Sequence, residues 1–239
     1  MNLFTSEEIY VLASLLGREF IVGVEDRTFE KNRSDLKGMF RRNYSDLESR
    51  GVFEYRMDGT LLIDHDVRNA IKVMNKADNA FVVATDVNGK HEKVNYLSYG
   101  NQFCKLEDLN SRYSLGMIDS FSYQSILDSY GIVLPSSLIK KISLPLANLI
   151  EINDMYNSFN TTEADKRLLD AIQDDEIVGL IRESFLKKSG MFVMKQYKKA
   201  DCHLVMNNNL ILRFVDDYIL NFSIDDGETV IVNVCKGKE

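Results

Sequence analysis

The sequence predicts an α+β protein of two quasi-equivalent halves, in which helices pack against antiparallel β-meanders. Apolar residues first recur at helical spacing and then alternate as in strands, and this order occurs again in the second part of the chain. The chain has only two prolines and no low-complexity segment that would act as a linker. We therefore expect a single domain over residues 1–239, with halves of about 1–130 and 142–239.

The first half opens with a strong signal for the start of a helix. Thr5 and Glu8 form a T-x-x-E capping box, in which each side chain accepts a hydrogen bond from the other residue's backbone N–H. Asp58–Gly59 and Asn88–Gly89 are pairs that favour the tight turns of hairpins. The predicted elements are, in order, a helix over Thr5–Leu16, a strand over Phe20–Val24, a helix over Ser34–Arg50, a hairpin of Val52–Tyr55 and Leu61–Ile63, a helix over Asp64–Lys76, strands over Phe81–Thr85, Lys93–Ser98 and Asn101–Leu106, and a helix over Phe121–Tyr130.

The second half repeats this order of helices followed by strands. Asn207–Asn209 and Asp225–Gly227 are turn signals within its tail. The predicted elements are helices over Leu146–Tyr156, Thr161–Ile172 and Ile177–Lys187, and strands over Met191–Lys198, Cys202–Met206, Leu210–Val215, Tyr218–Ile224 and Glu228–Val234. We expect the strands of the two halves to join as antiparallel sheet, with these side chains buried: Phe81, Val83, Phe192, Leu212 and Ile231.

The composition indicates a water-soluble protein in a reducing compartment. Apolar residues make up 45% of the chain and charged residues 27%, and no apolar run approaches the roughly 18 residues that span a bilayer. The start of the chain is acidic at Glu7 and Glu8 and has no basic region, which excludes a standard signal peptide. Cys104, Cys202 and Cys235 are an odd number without C-x-x-C spacing. We therefore expect a cytoplasmic protein without membrane insertion.

No pattern in the sequence predicts a catalytic residue, a cofactor or a metal site. His65 lies between two aspartates, but neighbours at a helix start point in divergent directions, so Asp64 is expected to cap the helix. His91 and His203 have no sequence partner that would form a nucleophile–base pair. Three acidic clusters are best explained as solvated turns, where aspartate is favoured for its backbone hydrogen bonds: Asp174–Glu176, Asp216–Asp217 and Asp225–Asp226. We expect no enzyme activity, while an enzyme whose site is assembled from residues that sequence cannot pair stays an open alternative.

A winged-helix regulator that binds DNA is the alternative from another functional class. A helix, a second helix with the basic segment Lys31–Arg42, and the Val52–Ile63 hairpin follow the outline of that fold. Acidic residues share the segment, and the hairpin tip offers Arg56 beside Asp58. The net charge of −7 also disfavours nucleic acid, because neutralising phosphates requires a concentrated basic face. A mixed-charge surface helix is the favoured interpretation.

Several segments, spread over nearly the whole chain, follow the pattern of one known family. They are a threonine–acidic start to a Leu-rich helix in Leu3–Leu12, a Leu-x-x-Arg-Gly helix end at Leu47–Gly51, the strand Phe81–Ala84 with its return at Tyr99–Gly100, the opening Ile142–Pro145 of the second half, and the strands from Ser189–Val193 to Val230–Val234. In this order they resemble the EspG family, the ESX (type VII) secretion-associated chaperones. The chain is Lys/Asn/Ile-rich where actinobacterial members are Ala/Arg/Gly-rich, so it looks like a low-GC Gram-positive relative.

The resemblance implies a cytoplasmic chaperone or adaptor that holds a helical secreted protein. The family holds PE–PPE pairs, and a WXG100-like or LXG-like helical client is the natural substitute here. The sequence leaves the oligomeric state open.

The resemblance also implies that a loop between two strands of the first half reaches the client, together with part of the sheet and the second-half helices. The matching loop makes Val87, Asn88, Gly89 and Lys90 the candidate partner-binding residues. From the residues alone, Asn88–Gly89 is first a type I′ turn that closes a hairpin. Val87 and Lys90 would suit an apolar, acidic helix tip.

Overall fold

The structure is a computed structural model that describes residues 3–18, 21–25, 33–87, 90–134, 137–187, 190–201 and 203–237. Its helices are α1 Ser6–Leu15, α2 Arg33–Ser49, α3 His65–Lys76, α4 Tyr123–Ser129, α5 Leu146–Asn157, α6 Thr161–Ile172 and α7 Asp175–Leu186. Its strands are β1 Leu3–Phe4, β2 Phe53–Tyr55, β3 Leu61–Ile63, β4 Asn79–Val87, β5 Lys90–Tyr99, β6 Gln102–Asp108, β7 Tyr113–Ile118, β8 Leu138–Pro145, β9 Met191–Ala200, β10 His203–Val215, β11 Tyr218–Asp225 and β12 Thr229–Lys236.

Ten of the described strands pair in the order β1-β7-β6-β5-β4-β9-β10-β11-β12-β8, and β2 and β3 form a separate hairpin. Two runs of the chain have the same connectivity: one strand, then helices, then a four-strand meander. In the first run β1 pairs antiparallel with the last meander strand, β7. In the second run β8 pairs antiparallel with the last meander strand, β12. The predicted α+β fold with antiparallel sheet and packed helices is confirmed, while the halves of about 1–130 and 142–239 stay a prediction.

Contacts divide the chain into two compact units. The first consists of Met1–Val82, Glu92–Ser122 and Gln196–Asn207, and the second of Val83–His91, Tyr123–Lys195 and Asn208–Glu239. Four strands contribute residues to both units: β4, β5, β9 and β10.

The core of the first unit lies between α1, α3 and one face of its strands. The capping box that starts α1 is present, since Glu8 N donates to Thr5 Oγ1 at 3.2 Å and Thr5 N donates to Glu8 Oε2 at 2.7 Å. The apolar faces of α1 and α3 are buried in one cluster with the inward strand residues: Ile9, Leu12, Ile71, Met74, Leu97 and Leu106. The 3.6-residue periodicity of the sequence thus places these side chains on the core side.

The core of the second unit lies under α5, α6 and α7. Asp174 caps α7 by accepting a hydrogen bond from Ile177 N at 3.2 Å. Alternate residues of β12 face the helices, as expected of a strand whose side chains alternate in direction. The buried cluster includes these residues: Leu144, Ile152, Leu168, Ile181, Leu220, Phe222, Val230, Val232 and Val234.

Three expectations from the sequence are wrong. Residues 21–24 of the predicted Phe20–Val24 strand do not form a strand. Gly23 has φ +88°, and its carbonyl accepts a hydrogen bond from Asn95. Phe20 lies outside the described residues. Asn207–Asn209 is no turn but lies within β10. Ile231 is not fully buried, since Val230 and Val232 face the core instead. The other four side chains expected to be buried are buried: Phe81, Val83, Phe192 and Leu212.

Among the described residues, no helix combines the length and the apolar character that crossing a membrane requires.

Candidate protein-binding surface

The loop that the sequence proposed for partner binding falls largely outside what the structure describes. Asn88 and Gly89 lie outside the described residues, and the side chains of Val87 and Lys90 do as well. Val87 ends β4 and Lys90 begins β5, which places the pair at the hairpin end where the sequence predicted it. The contact role of the loop stays a prediction.

An apolar groove opens on the helix side of the second unit, between α5, α7 and the strands β10 to β12. Its volume is about 190 Å³. The strand register explains its lining: Ile211 pairs with Phe222, and Ile224 pairs with Val230, so these side chains share one face of the sheet. The lining residues are Leu146, Leu149, Phe185, Ile211, Arg213, Phe222, Ser223, Ile224 and Val230. We call these residues the groove.

Arg213 is the one charged residue of the groove. Its partner in the β10–β11 register is Leu220, a core residue, so the arginine also points to the helix side. Burial lowers the pKa of its guanidinium, and the Asp86 carboxylate opposes that shift; an arginine nevertheless keeps its charge. Within the described part of the chain, its guanidinium donates no hydrogen bond and forms no ion pair. A half-buried guanidinium with free donors in an apolar setting is suited to a carboxylate of a bound molecule.

Apolar side chains stay exposed on the helices beside the groove. Ile150, in the middle of α5, is 52% exposed, and Leu186 at the end of α7 is 45% exposed. Ile224 at the rim of the groove is 52% exposed. Exposed apolar residues that flank an apolar cleft are typical of surfaces that bind other proteins.

The sequence did not single out the groove or its arginine. Arg213 lies on the strand segment Ile211–Val215, whose alternate residues face the core. A charged residue at a core-facing position of an otherwise apolar strand is the sequence signal that could have identified Arg213.

The three histidines belong to three different elements, α3, β5 and β10. His65 begins α3 with its side chain 86% exposed and its Nδ1 3.3 Å from Asp66 Oδ1. His91 lies on β5, with Nδ1 3.4 Å from Asp86 Oδ1, and His203 begins β10 and is exposed. In the part of the chain that the structure describes, no three His, Cys, Asp or Glu side chains converge in a way that could hold a metal ion.

Aspartates at helix starts and turns accept hydrogen bonds from the backbone, and the cluster at Asp174, expected to be a solvated turn, begins α7 instead. Asp64 Oδ1 accepts hydrogen bonds from the first turn of α3. Asp226 Oδ1 accepts from Glu228 N at 3.2 Å and from Thr229 N at 3.1 Å. Lys140 Nζ lies 2.5 Å from Asp174 Oδ2. This hydrogen bond, with that from Ile177 N, lowers the pKa of Asp174.

The basic segment of the winged-helix alternative lies on α2. Lys37, Arg41 and Arg42 are exposed, while Lys31 lies outside the described residues and the side chain of Arg33 is not described. The helix α2 packs on α1, and just after the basic segment Asn43 Nδ2 donates to Glu7 Oε2 at 3.1 Å. At the hairpin tip, Asp58 Oδ1 accepts from Thr60 N. The structure therefore places three cations on an exposed helix surface.

No protein-family model and no curated protein matches the sequence. Among solved structures, the chain is similar to the Mycobacterium tuberculosis type VII secretion system chaperone EspG5, determined in complex with a PE25–PPE41 dimer. The similarity covers 99% of this chain and 91% of that chain, with a TM-score of 0.67 and 10% sequence identity. At this identity the likeness is one of fold, and it agrees with the EspG-like α+β fold that the sequence predicted.

Proposed function

We propose that this chain is a cytoplasmic chaperone or adaptor of a type VII (ESX-like) secretion system that holds a helical secreted protein. The observation that carries the proposal is the correspondence of fold with a secretion chaperone along 99% of this chain. It is supported by the resemblance of segments along the sequence to the same family. A fold hosts more than one function, so the proposal also needs a surface that can hold a protein.

The groove is the surface that we assign to the client. An amphipathic helix places apolar side chains three and four residues apart, and such a row fits an apolar cleft between helices and a sheet. The exposed Ile150 and Ile224 extend the apolar area beyond the cleft. Arg213 would take a carboxylate of the client helix, which fixes its register. The Val87–Lys90 loop is proposed as an additional contact.

We infer a WXG100-like or LXG-like client from the character of the sequence. The chain is Lys/Asn/Ile-rich, which suits a low-GC Gram-positive relative of the EspG family. Such a relative would hold a single helical protein or a small helical pair rather than a PE–PPE pair.

Co-expression tests the proposal. The chain is produced together with the WXG100-like or LXG-like protein encoded beside it, and the mixture is separated by size exclusion with light scattering. We expect a complex whose mass equals the sum of one chain and its client. Separate elution of the two proteins at micromolar concentration, for every such neighbour, would contradict the proposed function.

A further inference from the structure

The strand β8 stands at one end of the ten-stranded order, so only one of its two edges is paired. Its inner edge pairs with β12, and no strand in the described part of the chain pairs with its outer edge. A free strand edge presents backbone N–H and C=O groups to which another strand can bind. Which strand this edge accepts depends on the backbone groups and side chains that it presents.

One hydrogen bond determines which backbone groups of β8 face outward. Leu146 N donates to Glu228 O at 2.7 Å, one step beyond the last pair of the β8–β12 register. In an antiparallel ladder, every second pair of residues exchanges hydrogen bonds. The even-numbered residues of β8 therefore direct their backbone groups to β12, and those of Lys141 and Ser143 face outward. Pro145 has the same orientation, but it offers only its carbonyl oxygen.

The outward-facing segment is short and is limited at both ends. After Pro145 the chain continues directly into α5. At the other end the register of β8 and β12 shifts at Ile139, which has no partner on β12 and forms a β-bulge. Lys141 and Ser143 are therefore the two residues of the regular segment that can both donate to and accept from a further strand. Their side chains are exposed.

The spacing of these two residues makes the edge complementary to its own copy. When Lys141 of one copy lies opposite Ser143 of the other, the two-fold axis passes between the two Ile142 residues, and the two pairs together exchange four backbone hydrogen bonds. A register with Lys141 opposite Lys141 would place like charges directly across from each other. A register with Ser143 opposite Ser143 would place Lys141 opposite Pro145, which has no N–H to donate.

Exposed apolar side chains lie at the ends of the favoured register. Ile139 is 52% exposed, and Pro145 is exposed as well. In this register Ile139 of each copy is opposite Pro145 of the other, so pairing would remove apolar surface from water at both ends of the contact.

We propose that two copies of this chain pair antiparallel through β8, with Lys141 of each copy opposite Ser143 of the other. The second copy then satisfies the outward backbone groups of β8 that no described strand binds. No residue of β8 lines the groove. The pairing therefore does not rest on the proposed function, and either can fail without the other.

A proline variant tests the pairing with the full-length chain alone. Sedimentation velocity over a dilution series up to roughly 500 μM gives the dimer dissociation constant, because a contact of one strand pair is small and need not be tight. Ser143→Pro removes an outward N–H and leaves the hydrogen bonds to β12 intact, as the native Pro145 does two residues further on. We expect it to raise the dissociation constant at least about tenfold, since two hydrogen bonds per dimer are lost.

The thermal midpoint of the monomer shows whether Ser143→Pro is folded, and we expect it to stay within about 3 °C of the unaltered chain. A monomeric unaltered chain at all concentrations would overturn the proposal. An unchanged dissociation constant in the folded Ser143→Pro variant would overturn it too.

Two charge variants at the same position test the register and do not depend on proline. Ser143→Glu places a carboxylate opposite Lys141 of the other copy twice per dimer, and we expect it to lower the dissociation constant at least about threefold. Ser143→Lys places like charges there and should raise the constant by a similar factor. The chain has a net charge of −7, so overall charge alone would shift the constant in the opposite direction in both variants. If Ser143→Glu does not pair more tightly than Ser143→Lys, the inference is wrong.

Discussion

The guanidinium of Arg50 donates a hydrogen bond to the carboxylate of Glu8, with 2.5 Å between Nη1 and Oε1. Its Nη2 donates to the carbonyl oxygen of Leu3 at 2.6 Å, and its Cζ lies 5.5 Å from the centre of the Phe4 ring. The Glu8 side chain is only 5% exposed. One arginine just after α2 therefore stabilises both the start of α1 and the short strand β1.

Replacement of Arg50 should destabilise the fold strongly. We expect Arg50→Ala to lower the free energy of unfolding by about 2–4 kcal/mol, because it leaves a buried carboxylate without its counter-charge. Arg68→Ala is the control, since Arg68 is exposed on α3 and its removal should cost less than about 0.5 kcal/mol. Urea unfolding measures both. Equal losses in the two variants would show that the Glu8 contact contributes little.

The raised pKa of Glu8 should make the free energy of unfolding depend on pH. Burial raises the pKa of Glu8 above its ordinary 4.5, against the hydrogen bond with Thr5 and the charge of Arg50. The folded state therefore binds the proton more tightly than the unfolded state does. The contribution of Glu8 is present below pH 4.5 and is lost as the pH rises through the raised pKa.

Glu8→Gln isolates this contribution, because glutamine keeps the acceptor of the capping box and does not titrate. We expect the free energy of unfolding of the unaltered chain, relative to Glu8→Gln, to fall between pH 4 and pH 7. The measurement is a urea series at several pH values. A difference that is constant or rises with pH would contradict the raised pKa.

The loop at the end of β4 gives a test of the additional client contact. Val87→Asp with Lys90→Glu should weaken client binding at least about threefold, because the double variant removes an apolar contact and reverses a charge. The thermal midpoint should stay nearly unchanged. If calorimetry finds unaltered affinity, the loop is only the hairpin turn that its Asn88–Gly89 pair indicates, and the contact lies on the helices between Leu146 and Lys187.

DNA binding distinguishes the chaperone from the winged-helix regulator. For a chaperone, we expect any duplex binding to be weak and to disappear steeply as salt increases, as non-specific phosphate contacts do. Fluorescence anisotropy with a labelled duplex between 50 and 200 mM salt measures this. A sequence-specific complex that survives about 150 mM salt and is lost on Arg41→Glu with Arg42→Glu would favour the regulator.

The sequence predicted the elements whose signals are local. The Thr5–Glu8 capping box starts α1 where it should, and the Asp58–Gly59 turn closes the β2–β3 hairpin. The strands β7 and β8 were missed. The segment Tyr113–Ile118 contains Gly116, and the β8 segment Leu138–Pro145 contains two lysines and ends on a proline, so neither has a clear strand signature. These two segments form strands because they pair with strands that are distant in the sequence, β7 with β1 and β8 with β12.

Two errors had a different physical origin. The Asn207–Asn209 run has turn composition, yet β10 continues through it because tertiary pairing outweighs local propensity. In β12 the valines Val230, Val232 and Val234 share one phase of the alternation, whereas Ile231 shares the other phase with two polar residues. The expectation that Ile231 is buried therefore chose the wrong phase, and a shift of one residue changes the face of every side chain. The groove was not predictable from local patterns, because its lining comes from five separate elements, α5, α7, β10, β11 and β12, which only tertiary packing brings together.

Client affinity of two matched variants tests the central claim most directly. Ile224→Asp alters an exposed residue in the groove, and Val205→Asp alters an equally exposed β-branched residue of β10 away from it, at 52% and 53% exposure. Titration calorimetry with the co-expressed client is expected to show at least about tenfold weaker binding for Ile224→Asp, because a carboxylate enters the apolar contact. Val205→Asp should bind as the unaltered chain does. Equal affinity of both variants, or no binding of the client to the unaltered chain, would contradict a chaperone that holds its client in the groove.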